Sequence, residues 1–175
     1  VADYCAVDPI FGTDADVDAL ITGCHERGMR LLLDWVPNHT SDQHPWFQAA
    51  RNAPRGSSKR ELYVWSDTDK RFAETRIIFT DSEKSNWAWD EVAGAYYWHR
   101  FFSHQPDLNF ANPDVREEIA RIMGFWLQLG VSGFRVDAVP FLLELDGTVA
   151  PGAYGIALED PAGARTKPLP FTVTK

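Results

Sequence analysis

Cysteine is scarce in this chain, and its scarcity excludes what cysteine normally builds. Cys5 and Cys24 are the only two in 175 residues, too few and too loosely placed for a disulfide framework or a zinc site, so both read as buried free thiols. Long apolar runs are missing too. No stretch approaches the roughly 20 residues that cross a bilayer, and no charged-then-apolar leader opens the chain, so no membrane partner is expected and the cytoplasm is the expected location. The chain starts at Val1 rather than at a methionine, which leaves a leader further upstream open. Basic residues are outnumbered, 17 Lys and Arg against 25 Asp and Glu, for a net charge of -8. Nucleic-acid backbones are bound chiefly by clustered Lys and Arg, so nucleic acid is excluded as a partner and a small neutral molecule is favoured. What is present is an ordinary globular composition, 45% hydrophobic and 24% charged, enough for one domain with a real core.

Two helix-then-strand units stand out. In the first, Gly12 and Thr13 lead into Val17, Leu20, Ile21 and Cys24 on one helical face, with Thr13 and Asp16 at capping-box spacing. That helix is expected to end near Gly28. Met29 to Val36, with three successive leucines, has the near-continuous apolar pattern of a parallel strand buried on both faces. In the second unit, Asn112 and Pro113 mark a helix start, Val115, Ile119, Ile122, Trp126 and Leu129 form its stripe, and Gly130 stops it. A short strand at Gly133 to Val136 follows. Alternating helices and buried strands predict a parallel α/β architecture. Both strands run out into polar residues, Asp34, Asn38 and His39 after the first, Arg135 and Asp137 at the second. The C-terminal ends of strands are where such folds keep their chemistry.

Between the units lie about 70 residues, Thr40 to Asn109, far more than the usual 2–6 of a strand-to-helix loop. They predict an inserted subdomain. It holds five of the seven tryptophans, Trp46, Trp65, Trp87, Trp89 and Trp98, besides Tyr96, Tyr97, Phe101 and Phe102. Aromatic faces stack on sugars, yet each single ring is more often packing than binding. Arg135 and Asp137 are two apart in a strand and so share a face. Holding such a pair inside for stability alone is unfavourable, because desolvation can exceed the Coulomb gain. A functional carboxylate is the better reading.

Three motifs carry a resemblance. Asp34-Trp35-Val36-Pro37-Asn38-His39 resembles the first signature region of glycoside hydrolase family 13, the α-amylase superfamily, at the end of its third barrel strand. Gly133-Phe134-Arg135-Val136-Asp137 resembles the second, at the end of the fourth. Gln105-Pro106-Asp107-Leu108-Asn109 resembles the region marking the oligo-1,6-glucosidase-like branch. Within it, Tyr63 to Thr68, Ile77 to Phe79 and Tyr96 to Asn109 are most similar to the trehalose synthases, and Ala138-Val139-Pro140 agrees. The resemblance runs from about Asp3 to about Glu144.

The resemblance implies part of a (β/α)8 barrel, about strands 2–4, with an aromatic-rich subdomain inserted after the third strand. The expected divisions are barrel residues 1–39, inserted subdomain 40–109, barrel residues 110–145, and a divergent, loop-like tail at 146–175, whose Asp146 to Lys175 stretch lacks strand-helix periodicity. It further implies a retaining enzyme interconverting maltose and trehalose, with a hydrolytic α-1,4-glucosidase and a non-catalytic homologue as alternatives. Asp137 is then the nucleophile and Arg135 its catalytic partner. His39, Gln105 and Phe102 bind substrate, and Asp34 is structural, a hydrogen-bond partner that fixes the loop. A structural calcium ion is implied on Asn38, Asp107, the carbonyls of Phe141 and Leu142, and Glu144, all oxygen donors. The family's fifth-strand acid/base glutamate has no counterpart here. The 175-residue chain by itself is therefore expected to be an inactive fragment.

Overall fold

The computed structural model describes residues 1–142 together with the strands at 152–156 and 169–173. Helix α1 spans Asp14–Glu26. Its start is the expected capping box: Thr13 N–H donates to Asp16 Oδ2 at 2.8 Å, and Asp16 N–H donates to Thr13 Oγ1 at 3.4 Å. These bonds satisfy two of the orphan donors of the first turn. Strand β1, Leu32–Trp35, follows.

The longest helix, α3 (Pro113–Leu129), starts on Asn112, whose side chain accepts from Asp114 N–H at 3.0 Å. Val115, Ile119, Ile122 and Trp126 are its buried residues. Gly130 closes it at φ 113, a conformation that strains any residue with a Cβ. A Cβ at Gly130 would lie 3.0 Å from Ile21 Cγ2. Gly130→Ala is therefore expected to destabilise the full-length protein by on the order of 2 kcal/mol, combining backbone strain with overpacking. A urea midpoint unchanged from wild type would contradict this.

Strand β5, Gly133–Val136, lies parallel to β1, with Leu32 opposite Gly133, Asp34 opposite Arg135 and Trp35 opposite Val136. β1 is not buried on both faces as its leucines suggest. Leu32 is 57% exposed, and Trp35 is the strand's one buried residue. Among the described residues this sheet has only two strands, β1 and β5.

The residues between β1 and α3 hold helix α2 (Pro45–Asn52), a single 3-10 turn at Arg60–Leu62, and strands β2 (Trp65–Ser66), β3 (Trp87–Asp90) and β4 (Ala95–Trp98). The strands form an antiparallel sheet in the order β2-β4-β3. Most of the aromatics pack: Trp87, Tyr97 and Trp98 are buried, and Trp89 is exposed. One cluster of buried side chains runs through the whole arrangement, joining Phe47, Tyr63 and Tyr97 to Trp35, Ile119 and Trp126. Each such ring contributes about 1.5–3 kcal/mol on burial. Arg60 is buried within this region, donating to the carbonyls of Ala50, Arg51 and Ala93, with its guanidinium 3.9 Å from the Trp65 ring.

The C-terminal stretch differs from the loop expected of it. Strands β6 (Gly152–Ile156) and β7 (Leu169–Val173) pair antiparallel, Gly152 opposite Val173 and Ile156 opposite Leu169. Short segments carrying Tyr154 and Ile156, and Phe171, Thr172 and Val173, have enough β-branched and aromatic residues to close a ladder despite their glycines and proline. No helix among the described residues is long and apolar enough to cross a membrane.

Candidate active site

The register of β1 and β5 decides which charges meet. Asp34 lies directly opposite Arg135, and Asp137 follows two residues on, on the same face. Arg135 Nη1 reaches Asp34 Oδ1 at 2.9 Å and Asp137 Oδ1 at 2.7 Å. One guanidinium nitrogen therefore ties the two strand ends together. The hydrogen bond that Arg135 donates to Asp34 and the charge of Asp137 raise the Arg135 pKa further above its already high value. Asp137 N–H donates to Trp35 O at 2.8 Å, fixing the backbone from which the carboxylate projects.

One sequence expectation changes here. The pair is not buried: the side chains of Arg135, Asp34 and Asp137 are 61%, 66% and 40% exposed, and β5 has no second neighbour among the described residues. Asp34, expected to be a structural hydrogen-bond partner, accepts across the sheet from Arg135. Directly after Asp137, Ala138 sits in the left-handed region at φ 56, ψ 22. A non-glycine residue there stores strain, which concentrates at functional sites. It turns the chain from β5 into a 3-10 turn at Val139–Phe141.

His39 and Asn38 leave β1 through Pro37 and are held against the Gln105–Asn109 motif. Leu108 N–H donates to Asn38 O at 2.9 Å, Thr40 N–H to Pro106 O at 3.1 Å, and His39 pairs with Asp107 in an isolated bridge. Two motifs far apart in sequence thus become one short antiparallel ladder. His39 is 6% exposed. Burial lowers its pKa to about 4, while the Asp137 carboxylate acts the other way. The ring is therefore neutral near pH 7. Asn38 Nδ2, a donor, faces His39 Nδ1 at 3.4 Å, which leaves the ring proton on Nε2. In that tautomer Nε2 is a hydrogen-bond donor.

Gln105 Oε1 accepts from Phe102 N–H at 3.3 Å. Phe102 stacks between Phe79, 4.5 Å away, and His104, 5.4 Å away. The ring nearer to His39 is Phe101, at 5.1 Å, which also meets Phe141 at 5.4 Å. Tyr4 is a residue that sequence reasoning missed. Its hydroxyl donates to Val36 O at 3.1 Å and His39 O at 3.0 Å, and its carbonyl accepts from Trp126 Nε1 at 2.8 Å. No local pattern around Tyr4 signals bonds to such distant partners.

Of the oxygens expected to hold calcium, Asn38 and Asp107 are both buried, and the ladder sets their backbones on adjoining antiparallel segments. Asp107 Oδ1 accepts from Arg100 N–H at 3.3 Å. The Arg100 guanidinium lies 5.2 Å from the Phe141 ring. This donor set is all oxygen and suits a hard cation. Glu144 lies outside the described residues. Among the described residues no group of three or more His, Cys, Asp or Glu side chains gathers to hold a metal, this neighbourhood included.

Comparison with known proteins assigns the family. The model of the alpha-amylase catalytic domain matches residues 1–153. The chain belongs to the alpha-amylase family. The chain is 55% identical over 148 residues to a trehalose synthase of Pimelobacter sp. (strain R48), covering 85% of this chain and 26% of that protein. It is also 46% identical over 147 residues to a human amino acid transporter heavy chain, covering 82% of this chain and 21% of that one. Among solved structures it is similar to the trehalulose synthase MutB from Pseudomonas mesoacidophila, with a TM-score of 0.75, 39% identity, and coverage of 84% of this chain and 26% of that one. The chain thus has the α/β barrel-type fold of the family and spans about a quarter of the length of these relatives.

Proposed function

We propose that this chain is the nucleophile-bearing part of a retaining α-glucosyl-processing enzyme that interconverts maltose and trehalose. The observation that carries the reading is Arg135 Nη1 held at 2.7 Å from Asp137 Oδ1 at the end of a parallel strand. The likeness to a trehalose synthase at 55% identity supports the substrate class, a small neutral disaccharide. A chain of the transporter class is also similar to this one, so overall likeness does not choose between enzyme and non-catalytic homologue. Asp137, Arg135 and His39 together favour the enzyme.

In this reading β1 and β5 are the third and fourth strands of a (β/α)8 barrel, with residues 40–109 inserted between them and 1–39 and 110–145 contributing the barrel. Their parallel pairing, and an antiparallel sheet of different order in the intervening residues, support that division. Residues 146–175 remain a separate, divergent segment.

An Asp137 oxygen attacks the anomeric carbon of the non-reducing glucose as the bond to the leaving glucose breaks. The leaving oxygen takes its proton from a carboxylic acid that this chain does not supply. Arg135 holds the Asp137 carboxylate toward that carbon, and neutral His39 donates from Nε2 to a sugar hydroxyl. Retained glucose then attacks through its anomeric hydroxyl, whose own proton passes to the acid/base group as the bond to Asp137 breaks. Phe101, Phe102 and Gln105 would line the wall that keeps glucose in and water out. Asn38, Asp107 and the carbonyls of Phe141 and Leu142 would hold a calcium ion, with Glu144 completing the set. That ion would supply rigidity by joining the two strand ends to the insert.

The full-length enzyme given maltose alone is expected to make trehalose as its main product, with free glucose a minor one. Chromatography at early times tests this. If glucose dominates and trehalose is absent, the enzyme is a hydrolase.

A further inference from the structure

A cavity of about 240 Å³ opens in the insert, and none of its lining residues belongs to the site described above. Its floor is aromatic. Trp87 and Trp98 are 6% and 4% exposed and meet edge to face at 4.8 Å. Phe72 completes the floor, stacked at 16° on Trp87 and perpendicular to Trp98. Phe72 holds that pose in the left-handed region, at φ 55, which a bulky side chain seldom adopts. The turn is closed by Thr75 N–H donating to Phe72 O at 3.0 Å.

The rim is cationic in a chain whose net charge is -8. Lys70 is neutralised by Asp69 at 3.2 Å. Arg71 and Lys84 also line the cavity, and among the described residues neither has a carboxylate partner. The Arg71 guanidinium is held 4.6 Å from the Phe72 ring, at the edge of the aromatic floor. Asn86 donates through Nδ2 to Thr75 O at 3.0 Å, which leaves its amide oxygen to accept from a hydroxyl.

We infer that this cavity binds a monosaccharide phosphate, its ring against Trp87, Trp98 and Phe72 and its phosphate between Arg71 and Lys84. Drug-sized ligands occupy cavities of about 300–1,000 Å³, so the space suits one pyranose ring and not a disaccharide. Aromatic walls alone fit a neutral sugar. Two unpaired cations beside them add a site for a doubly charged group.

The test is calorimetric titration of the full-length protein with glucose 6-phosphate, glucose and inorganic phosphate separately. Glucose 6-phosphate is expected to bind at least tenfold more tightly than either of the others. Lys84→Glu should weaken it at least tenfold while leaving maltose turnover unchanged, and the milder Lys84→Gln should weaken it less. In the Asp137→Ala variant saturated with maltose, its affinity should be the same as without maltose. Equal binding of glucose, equal binding of inorganic phosphate, displacement by maltose, no binding, or indifference to both Lys84 substitutions would each overturn the assignment.

Discussion

Replacing Asp137 by alanine in the full-length enzyme is expected to lower maltose turnover by about 10⁴- to 10⁶-fold, the scale on which loss of a catalytic nucleophile is felt. Without the carboxylate no glucosyl ester forms, and neither trehalose nor glucose is released at an appreciable rate. The fold should survive, because the Asp137 side chain is no part of the buried core cluster and its backbone N–H bond to Trp35 O does not depend on the side chain. Azide offers a second readout. With an activated aryl α-glucoside, it can enter the space the carboxylate leaves and attack the anomeric carbon from the same side, giving the β-glucosyl azide as the aryl oxide departs. Wild-type rates in Asp137→Ala would remove the assignment of Asp137, and an α-linked azide product would remove its placement on that face of the sugar.

Arg135 carries the second large effect. Arg135→Gln is expected to lower kcat by about 10²- to 10³-fold with a much smaller change in KM, in line with loss of one preorganised donor. The reason lies in the shared Nη1, 2.9 Å from Asp34 and 2.7 Å from Asp137. Glutamine is shorter and neutral, so it cannot hold both carboxylates at once. Arg135→Lys restores the charge as a point and should recover part of the loss, and Asp34→Asn should cost less than either. A purely structural role predicts the opposite pattern, with the urea midpoint moving and kcat following it. Arg135→Gln with unchanged kcat would show that the contact to Asp137 has no part in turnover.

Much of this was legible from residues near one another in the chain. The Thr13–Asp16 capping box, the Asn112-Pro113 start of α3 and its stop at Gly130 are settled within one helical turn, so local sequence suffices. The strand at Gly133–Val136 and the shared face of Arg135 and Asp137 follow from the two-residue period of extended chain. The three motifs, and with them the family, were also readable from sequence alone. Other features depended on partners brought close only by folding. Asp34 bonds to Arg135 because parallel register sets them side by side, 101 positions apart. His39 meets Asp107 because the chain returns antiparallel after the insert, and Tyr4 reaches His39 O and Trp126 through contacts 35 and 122 positions apart. The exposure of Leu32 belongs with these. Apolar character fixes what a strand is able to bury, but burial itself depends on which neighbours stand beside it, and that is a property of the tertiary structure.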